Sequence, residues 1–174
     1  GDGKYDLQSA TRGTAPEADI PNSFYWQDYL GDLDYVRTAV ASARKHFKEN
    51  GGNPEDLKLF INDYNLESDW DQNGKLKSLI QWIKDWEADD VTKIDGIGSQ
   101  MHISCYANPK TQESKKNAIV NMLKLMADSR KLVRISELDM NYVDETGKSV
   151  NTNDMTEEQH KQMRELYEFV IKKY

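Results

Sequence analysis

The chain has 174 residues, of which 23 are Lys or Arg and 30 are Asp or Glu, so its formal net charge at pH 7 is −7. This acidic balance, without a basic cluster, argues against a nucleic-acid partner. No apolar run approaches the roughly 18 residues of a membrane span, so no membrane partner is expected either. The length predicts one domain. The hydrophobic fraction of 37% is below the roughly 45–50% of typical globular domains, which predicts that residues outside this chain complete its core.

The first part of the chain changes from an irregular segment to a helix. Residues 1–23 mix Gly, Asp, Ser, Thr and Pro without periodicity and predict a loop, whereas residues 24–174 alternate between helical and strand patterns. Asp32 is placed to cap the first helix, and Gly51-Gly52 is placed to end it. The apolar positions of this helix recur at helical spacing: Val36, Val40, Ala43 and Phe47.

The remaining chain alternates short apolar runs with helical periods. Strands are predicted at Leu57–Ile61, Ile94–His102 and Leu132–Ile135. A helix begins at Asn73-Gly74, with an apolar face, and another spans Glu113–Ser129. The last helix starts at a capping box of Thr156 with Gln159. Its apolar residues form one row: Met163, Leu166, Tyr167, Val170, Ile171 and Tyr174.

Strands that alternate with helices imply parallel strands joined by right-handed crossovers. Two α/β architectures fit this order, a doubly wound open sheet and a part of a (β/α) barrel. The chain has neither the glycine fingerprint of a dinucleotide site nor a phosphate-binding loop. The common nucleotide-binding sheets are therefore disfavoured.

Polar side chains stand at the end of each of the three predicted strands or directly after it. Parallel strands bring their carboxyl ends to one face, where α/β proteins bind ligands, and this would gather Tyr64, His102 and Glu137. Glu137 and Asp139 are two residues apart, so on an extended backbone they point the same way. A carboxylate pair beside an imidazole suits acid–base or nucleophilic chemistry. Taken alone, a Glu that follows a strand could equally be a surface charge or a helix cap. A single His beside apolar residues could equally be a residue of the core.

Three segments resemble the strands of one enzyme family. They are LFINDYN at residues 59–65, IDGIGSQMHI at 94–103 and VRISELD at 133–139, and the helix within 26–44 is similar as well. In this order and register they resemble glycoside hydrolase family 10, the endo-β-1,4-xylanases. The resemblance runs from about residue 24 to the C-terminus.

This resemblance implies a (β/α)8 TIM barrel, of which the chain would hold strands five to seven, and a retaining mechanism. Glu137 matches the family's nucleophile. His102 would hydrogen-bond it, and Asp139 would hold the imidazole. Asn62, Tyr64 and Gln100 match sugar-contacting positions, so xylan or xylo-oligosaccharides are the implied partners. No cofactor is implied, and the implied location is secreted or periplasmic.

The sequence departs from the family at the second catalytic carboxyl group. The family's acid/base Glu ends a Trp-Asp-x-x-Asn-Glu segment, which this chain lacks. Upstream of Asn62 the candidates are Glu17, Glu49 and Glu55, and none follows a strand-like run. We therefore expect residues 1–174 to be a C-terminal fragment of the catalytic domain, inactive alone. Its unpaired strand edges would favour self-association or a complementary N-terminal fragment.

Two alternatives stay open at this point. One is a non-catalytic carbohydrate-binding remnant that keeps part of the cleft. The other is an unrelated α/β interaction domain in which the residues at the strand ends are structural.

Weaker patterns concern metals and tryptophans. Residues 69–74, starting at Asp69, match the first half of an EF-hand loop, but Ile80 stands where the bidentate Glu is needed. His102 and Cys105 have zinc-like spacing without a second pair. No metal site is therefore predicted. Among the tryptophans, two are predicted to pack on a helix and two in loops could contact sugars: Trp82 and Trp86, then Trp26 and Trp70.

Overall fold

The computed structural model describes residues 7–68 and 70–174. Their helices are α1 (Gln27–Leu30), α2 (Asp34–Glu49), α3 (Gly74–Trp86), α4 (Pro109–Asp128) and α5 (Glu157–Lys173). Their strands are β1 (Phe60–Tyr64), β2 (Gly96–Tyr106), β3 (Leu132–Val143) and β4 (Ser149–Val150). Among these residues, none of the helices combines the length and apolar character that crossing a bilayer requires. The described residues divide into two compact units, residues 7–60 with 77–96, and residues 61–68 and 70–76 with 97–174.

In the first unit, partly buried hydrogen bonds and a ring contact between Tyr35 and Trp86 join α2 and the preceding Asp32 to the larger part of α3. Val36 and Val40 of α2 and Trp86 of α3 are buried. The Trp86 indole donates to the Asp32 carbonyl at 2.8 Å, and Arg37 donates to the Trp86 carbonyl at 3.0 Å. These bonds satisfy groups at helix ends that would otherwise lack partners.

A second arginine anchors the segments that lead into β1 and β2. Arg44 donates to the carbonyl groups of Pro54, at 2.8 Å, and Lys93, at 3.0 Å. It also pairs with Asp95 at 3.0 Å, and the Asp95 side chain is only 5% exposed. Asp95 in turn accepts from the backbone of Leu59 at 2.9 Å. Arg44 therefore fixes the start of both strands.

The second unit contains most of a four-stranded sheet in the order β1-β2-β3-β4. Side-chain hydrogen bonds join His102 to Asp139 and Ser104 to Asn141, each pair 37 positions apart. A constant offset along both strands means that β2 and β3 run parallel. β4 pairs with β3 antiparallel, with Tyr142 opposite Val150, and was not predicted.

The core of the second unit lies between the sheet and two helices. α4 and α5 contact each other, and both contact β3. Residues of β2 alternate, so that one face of the strand is buried against this core. The buried residues include Met101, Ile103, Cys105, Ile119, Met122, Met126, Leu166 and Val170.

The predicted order of helices and strands is confirmed, but several boundaries are wrong. β1 begins and ends three residues later than predicted, at Phe60 and Tyr64, and β2 and β3 continue to Tyr106 and Val143. The reason is that polar residues after the apolar runs remain extended and exposed on one sheet face. α4 begins at Pro109, where Asn108 caps it. Within residues 7–23, a short 3-10 helix spans Ile20–Asn22.

Individual helix predictions have mixed outcomes. The capping box of Thr156 and Gln159 is confirmed. Asp32 does not cap α2, because its carboxylate pairs with Arg12. In the last helix Leu166 and Val170 are buried, whereas Ile171 is 67% exposed. The predicted apolar row is therefore wider than the face that the sheet covers.

Candidate active site

The exposed faces of β2 and β3 carry the predicted catalytic side chains in adjacent rows. In β2 the strand alternation directs His102 away from the buried Met101 and Ile103. In β3, Glu137 and Asp139 are both exposed and share one face. The parallel pairing then sets the imidazole next to both carboxylates.

His102 bridges the two carboxylates. Its Nε2 lies 3.2 Å from a Glu137 carboxylate oxygen, and its Nδ1 lies 2.8 Å from an Asp139 carboxylate oxygen. All three side chains keep between 45% and 70% of their surface exposed. A protonated imidazole donates through both nitrogens, so each carboxylate can accept one bond.

Electrostatics favour that protonated form. The hydrogen bond to Asp139 raises the pKa of His102 above its ordinary value, although desolvation acts in the opposite direction. The charges of Asp139 and Glu137 raise the His102 pKa further. The geometry therefore supports an imidazolium that holds the Glu137 carboxylate in a fixed orientation.

The predicted sugar-contacting residues lie on the same unit. Asn62 and Tyr64 are on one face of β1, and the Tyr64 side chain is among the exposed aromatic groups, at 54%. Gln100 lies two residues before His102 on β2 and is half-buried. Among these, the structure links Asn62 directly to β3, since Ser136 Oγ donates to its side-chain oxygen at 2.6 Å.

The family profile described as Glycosyl hydrolase family 10 matches residues 14–174 of this chain. The chain belongs to this family. The endo-1,4-beta-xylanase A of Thermoanaerobacterium saccharolyticum is 33% identical over 117 residues, which is 67% of this chain and 8% of that relative. The exoglucanase XynX of Acetivibrio thermocellus is 32% identical over 117 residues, or 67% of this chain and 9% of that relative.

Solved structures of xylanases share the fold of this chain. TsXylA, an intracellular xylanase from Thermoanaerobacterium saccharolyticum, shares 26% identity and a TM-score of 0.60, over 87% of this chain and 38% of that one. An endo-1,4-beta-xylanase from Caldicellulosiruptor owensensis shares 25% identity and a TM-score of 0.65, over 95% and 43%. A TsXylA mutant in complex with xylotriose shares 26% identity and a TM-score of 0.57, over 87% and 38%.

This family 10 chain thus spans less than half of the solved relatives, and its sheet is an incomplete (β/α)8 barrel. The prediction of the family is confirmed. The alternative of an unrelated α/β interaction domain is wrong, because the family match extends over residues 14–174.

Sequence reasoning missed the side-chain contacts that join the strands of this family 10 chain at the site. Ser136 Oγ also lies 3.2 Å from the Ser99 carbonyl oxygen. Between Asn62 and Ser136 lies Gly98, where an added Cβ would overlap the Asn62 side-chain oxygen. The glycine is therefore required for close approach rather than for a turn. A glycine inside a strand pattern was the available signal.

Sequence reasoning also missed Glu67, which follows β1. Its Oε2 is buried and has no hydrogen-bond partner among the described residues. Burial raises the pKa of this carboxyl, while the charges of Lys75, Lys115 and His102 act in the opposite direction. Nothing in the spacing of the sequence distinguishes Glu67 from a surface carboxylate.

The metal-like patterns of the sequence lie partly within the described residues. Within residues 7–68 and 70–174, no three His, Cys, Asp or Glu side chains come together as a metal site. Asp69, at which the EF-hand-like pattern starts, lies outside the described residues. His102 is exposed and Cys105 is buried, because residues three apart on a strand face opposite sides.

The two pairs of tryptophans differ as predicted in their surroundings. Trp82 and Trp86 stack with ring centroids 5.9 Å apart. Trp26 and Trp70 are 61% and 69% exposed. Sugar contacts at the exposed pair stay a prediction.

Proposed function

We propose that this chain supplies the nucleophile side of an endo-1,4-β-xylanase active site that acts on xylan or xylo-oligosaccharides with retention of configuration. The observation that carries the proposal is the His102 imidazole held between Glu137 and Asp139. The family 10 match and the xylanase relatives support the substrate class, as does xylotriose bound to the TsXylA mutant.

In the first step, a Glu137 carboxylate oxygen attacks the anomeric carbon of the sugar. The bond between that carbon and the glycosidic oxygen breaks, and the departing oxygen takes a proton from a general acid. The product is a glycosyl-enzyme ester, which water then hydrolyses. His102 acts as a positioning residue, because it stabilises the ionised nucleophile and fixes its direction.

Substrate contacts are assigned to β1 and β2. Tyr64 offers an exposed aromatic ring for a sugar face and a hydroxyl group for hydrogen bonding. Asn62 and Gln100 offer amide groups that can bind sugar hydroxyls. The bond from Ser136 leaves the Asn62 amide nitrogen available as a donor.

The chain lacks the Trp-Asp-x-x-Asn-Glu segment that carries the family's acid/base residue. Retaining hydrolysis needs two carboxyl groups roughly 5–5.5 Å apart. We therefore expect the 174-residue chain alone not to hydrolyse xylan at a normal rate. Rapid release of reducing sugar that Glu137→Ala abolishes would contradict this.

The experiment that tests the proposal uses an activated 2-fluoro-xylobioside. Its leaving group departs as a stable anion, so the reagent tests the nucleophile without an acid. Intact-mass spectrometry should show one adduct, and peptide mapping should place it on Glu137. Glu137→Gln should show none, whereas Glu145→Gln, at an exposed carboxylate outside the site, should react like the wild type. No adduct, or an adduct elsewhere, would contradict the proposal and leave the family membership intact.

A second candidate function is carbohydrate binding without hydrolysis, which the missing acid/base segment favours. Calorimetric titration with xylohexaose distinguishes the two. Binding by a chain that forms no adduct would favour the second function, whereas an adduct at Glu137 would favour the first.

A further inference from the structure

Lys75 makes an unusual set of contacts with the end of β1. Its Nζ donates to the Tyr64 carbonyl oxygen at 2.6 Å and to an Asp63 carboxylate oxygen at 2.9 Å. The same Nζ lies 3.9 Å from the centroid of the Tyr64 ring. One ammonium group thus holds the backbone, the preceding side chain and the aromatic ring of the same two residues.

The position of Lys75 is itself fixed. It is the second residue of α3, and its backbone N–H donates to an Asp71 carboxylate oxygen at 3.3 Å. Its side chain is 30% exposed and that of Asp63 is 33% exposed, so both are partly shielded from water. Partial burial strengthens charge-assisted hydrogen bonds and the attraction between a cation and a ring.

Tyr64 lies at an exposed end of its strand. It is the last residue of β1 and is 54% exposed. The next residue, Asn65, has a left-handed backbone with φ of 62°, so the chain turns away directly after the ring. An exposed ring without a lateral contact samples several rotamers, and ordering it on binding weakens affinity.

We propose that Lys75 is a positioning residue that holds the Tyr64 ring for sugar stacking and reserves one of its faces. The ammonium occupies one face, so a xylose unit stacks on the other. This inference rests on the proposed function only for the identity of the sugar. The arrangement of the ring is independent of it.

The first test measures the ring directly. The chain is labelled with 3-fluorotyrosine, and Tyr64→Phe identifies the Tyr64 resonance in the ¹⁹F spectrum. Lys75→Met should shift and narrow that resonance, because the ring loses its cation and the rotamers of an exposed side chain interconvert rapidly. Lys75→Arg, which keeps the charge, should restore most of the wild-type shift. Lys77→Met, at an exposed lysine of the same helix, should leave the resonance unchanged.

Circular dichroism checks that each variant is folded, and Lys75→Gln replaces Lys75→Met if the latter is not. An unchanged Tyr64 resonance in either folded variant would overturn the proposal. This outcome does not depend on catalysis, so it is distinct from a failure of the proposed function.

The second test uses the rate of adduct formation at Glu137. Lys75→Met should raise the reagent concentration needed for half-maximal rate by roughly five-fold, because binding loses an ordered stacking partner. The maximal rate should change little, since Lys75 does not touch the nucleophile. A fall in the maximal rate alone would overturn the proposal, because it would place Lys75 in the chemical step.

Discussion

At the scale of single residues, the two carboxylates beside His102 raise its pKa by unequal amounts. Asp139 contributes the largest effect that raises the His102 pKa, and Glu137 contributes a smaller one. We therefore expect Asp139→Asn to lower the His102 pKa more than Glu137→Gln does. Titration of the three histidines by NMR measures this, with Asp154→Asn, at an exposed residue, as the control. Equal shifts in both variants would contradict the prediction.

The same pKa has a consequence for stability. The pKa of His102 in the folded chain lies above its ordinary value of 6.5. The stabilisation that the His102 cluster contributes to the free energy of unfolding is therefore fully present below pH 6.5. It is lost as the pH rises through the folded pKa. In Asp139→Asn this pH dependence should become weaker.

The pH dependence of stability that Glu67 causes should be opposite in direction to that of a salt-bridged carboxylate. Burial raises its pKa above 4.5, so its contribution to stability falls as the pH rises through the raised pKa. Glu67→Gln removes the buried charge and should stabilise the fold by on the order of 1 kcal/mol at neutral pH, and by less in acid. Urea unfolding at about pH 4 and about pH 7 measures the difference.

The control for Glu67 is Glu145→Gln, which changes an exposed carboxylate. A Glu67→Gln chain that is less stable than the wild type at neutral pH would show that the attraction to Lys75 and Lys115 outweighs the cost of burial.

At the scale of elements, three strands meet at Gly98. A methyl group there would overlap the Asn62 side-chain oxygen, so Gly98→Ala should displace Asn62 and break its bond to Ser136. We expect a loss of about 1–2 kcal/mol in the free energy of unfolding. In the double variant with Asn62→Ala the methyl group has room, so the combined loss should be smaller than the sum. Additive losses in this double-mutant cycle would contradict the packing explanation.

The strand ends show how far sequence reasoning extends. Apolar runs located all three main strands, because burial against helices requires such runs. The continuation of β3 from Ile135 to Val143 was missed, because Glu137, Asp139 and Asn141 are polar and face away from the core. Glu137 and Asp139 were therefore placed after their strand, whereas the structure has them within it. His102 was already predicted inside its strand, at the last position.

The contacts between these residues depend on register, which a single sequence does not specify. His102 and Asp139 were expected near one another from their strand ends, but the pairing of Ser136 with Asn62 across Gly98 follows only from three-dimensional packing. Lys75 was missed for the same reason. It lies 11 residues after Tyr64 in the sequence, and only the folded chain brings its side chain into contact with Tyr64.

At the scale of the whole molecule, β1 lies at one end of the sheet in the described part of the chain. A strand with one unpaired edge is a template for another chain. We expect sedimentation velocity to show an average mass that rises with concentration. A single monomeric species across the accessible concentration range would contradict this expectation.

The secreted or periplasmic location that the family resemblance implies stays a prediction.

The constant offset of 37 positions between β2 and β3 has a consequence for how this chain tolerates insertions. The connection after α4 turns at Arg130, whose φ of 59° marks an irregular backbone. Extra residues inserted there leave the register of both strands intact, and His102 keeps its neighbours. A single residue inserted between Gln100 and His102 would instead reverse every side chain that follows in the strand. The turn near Arg130 is thus the place to insert a tag or to divide the chain, and the strands are not.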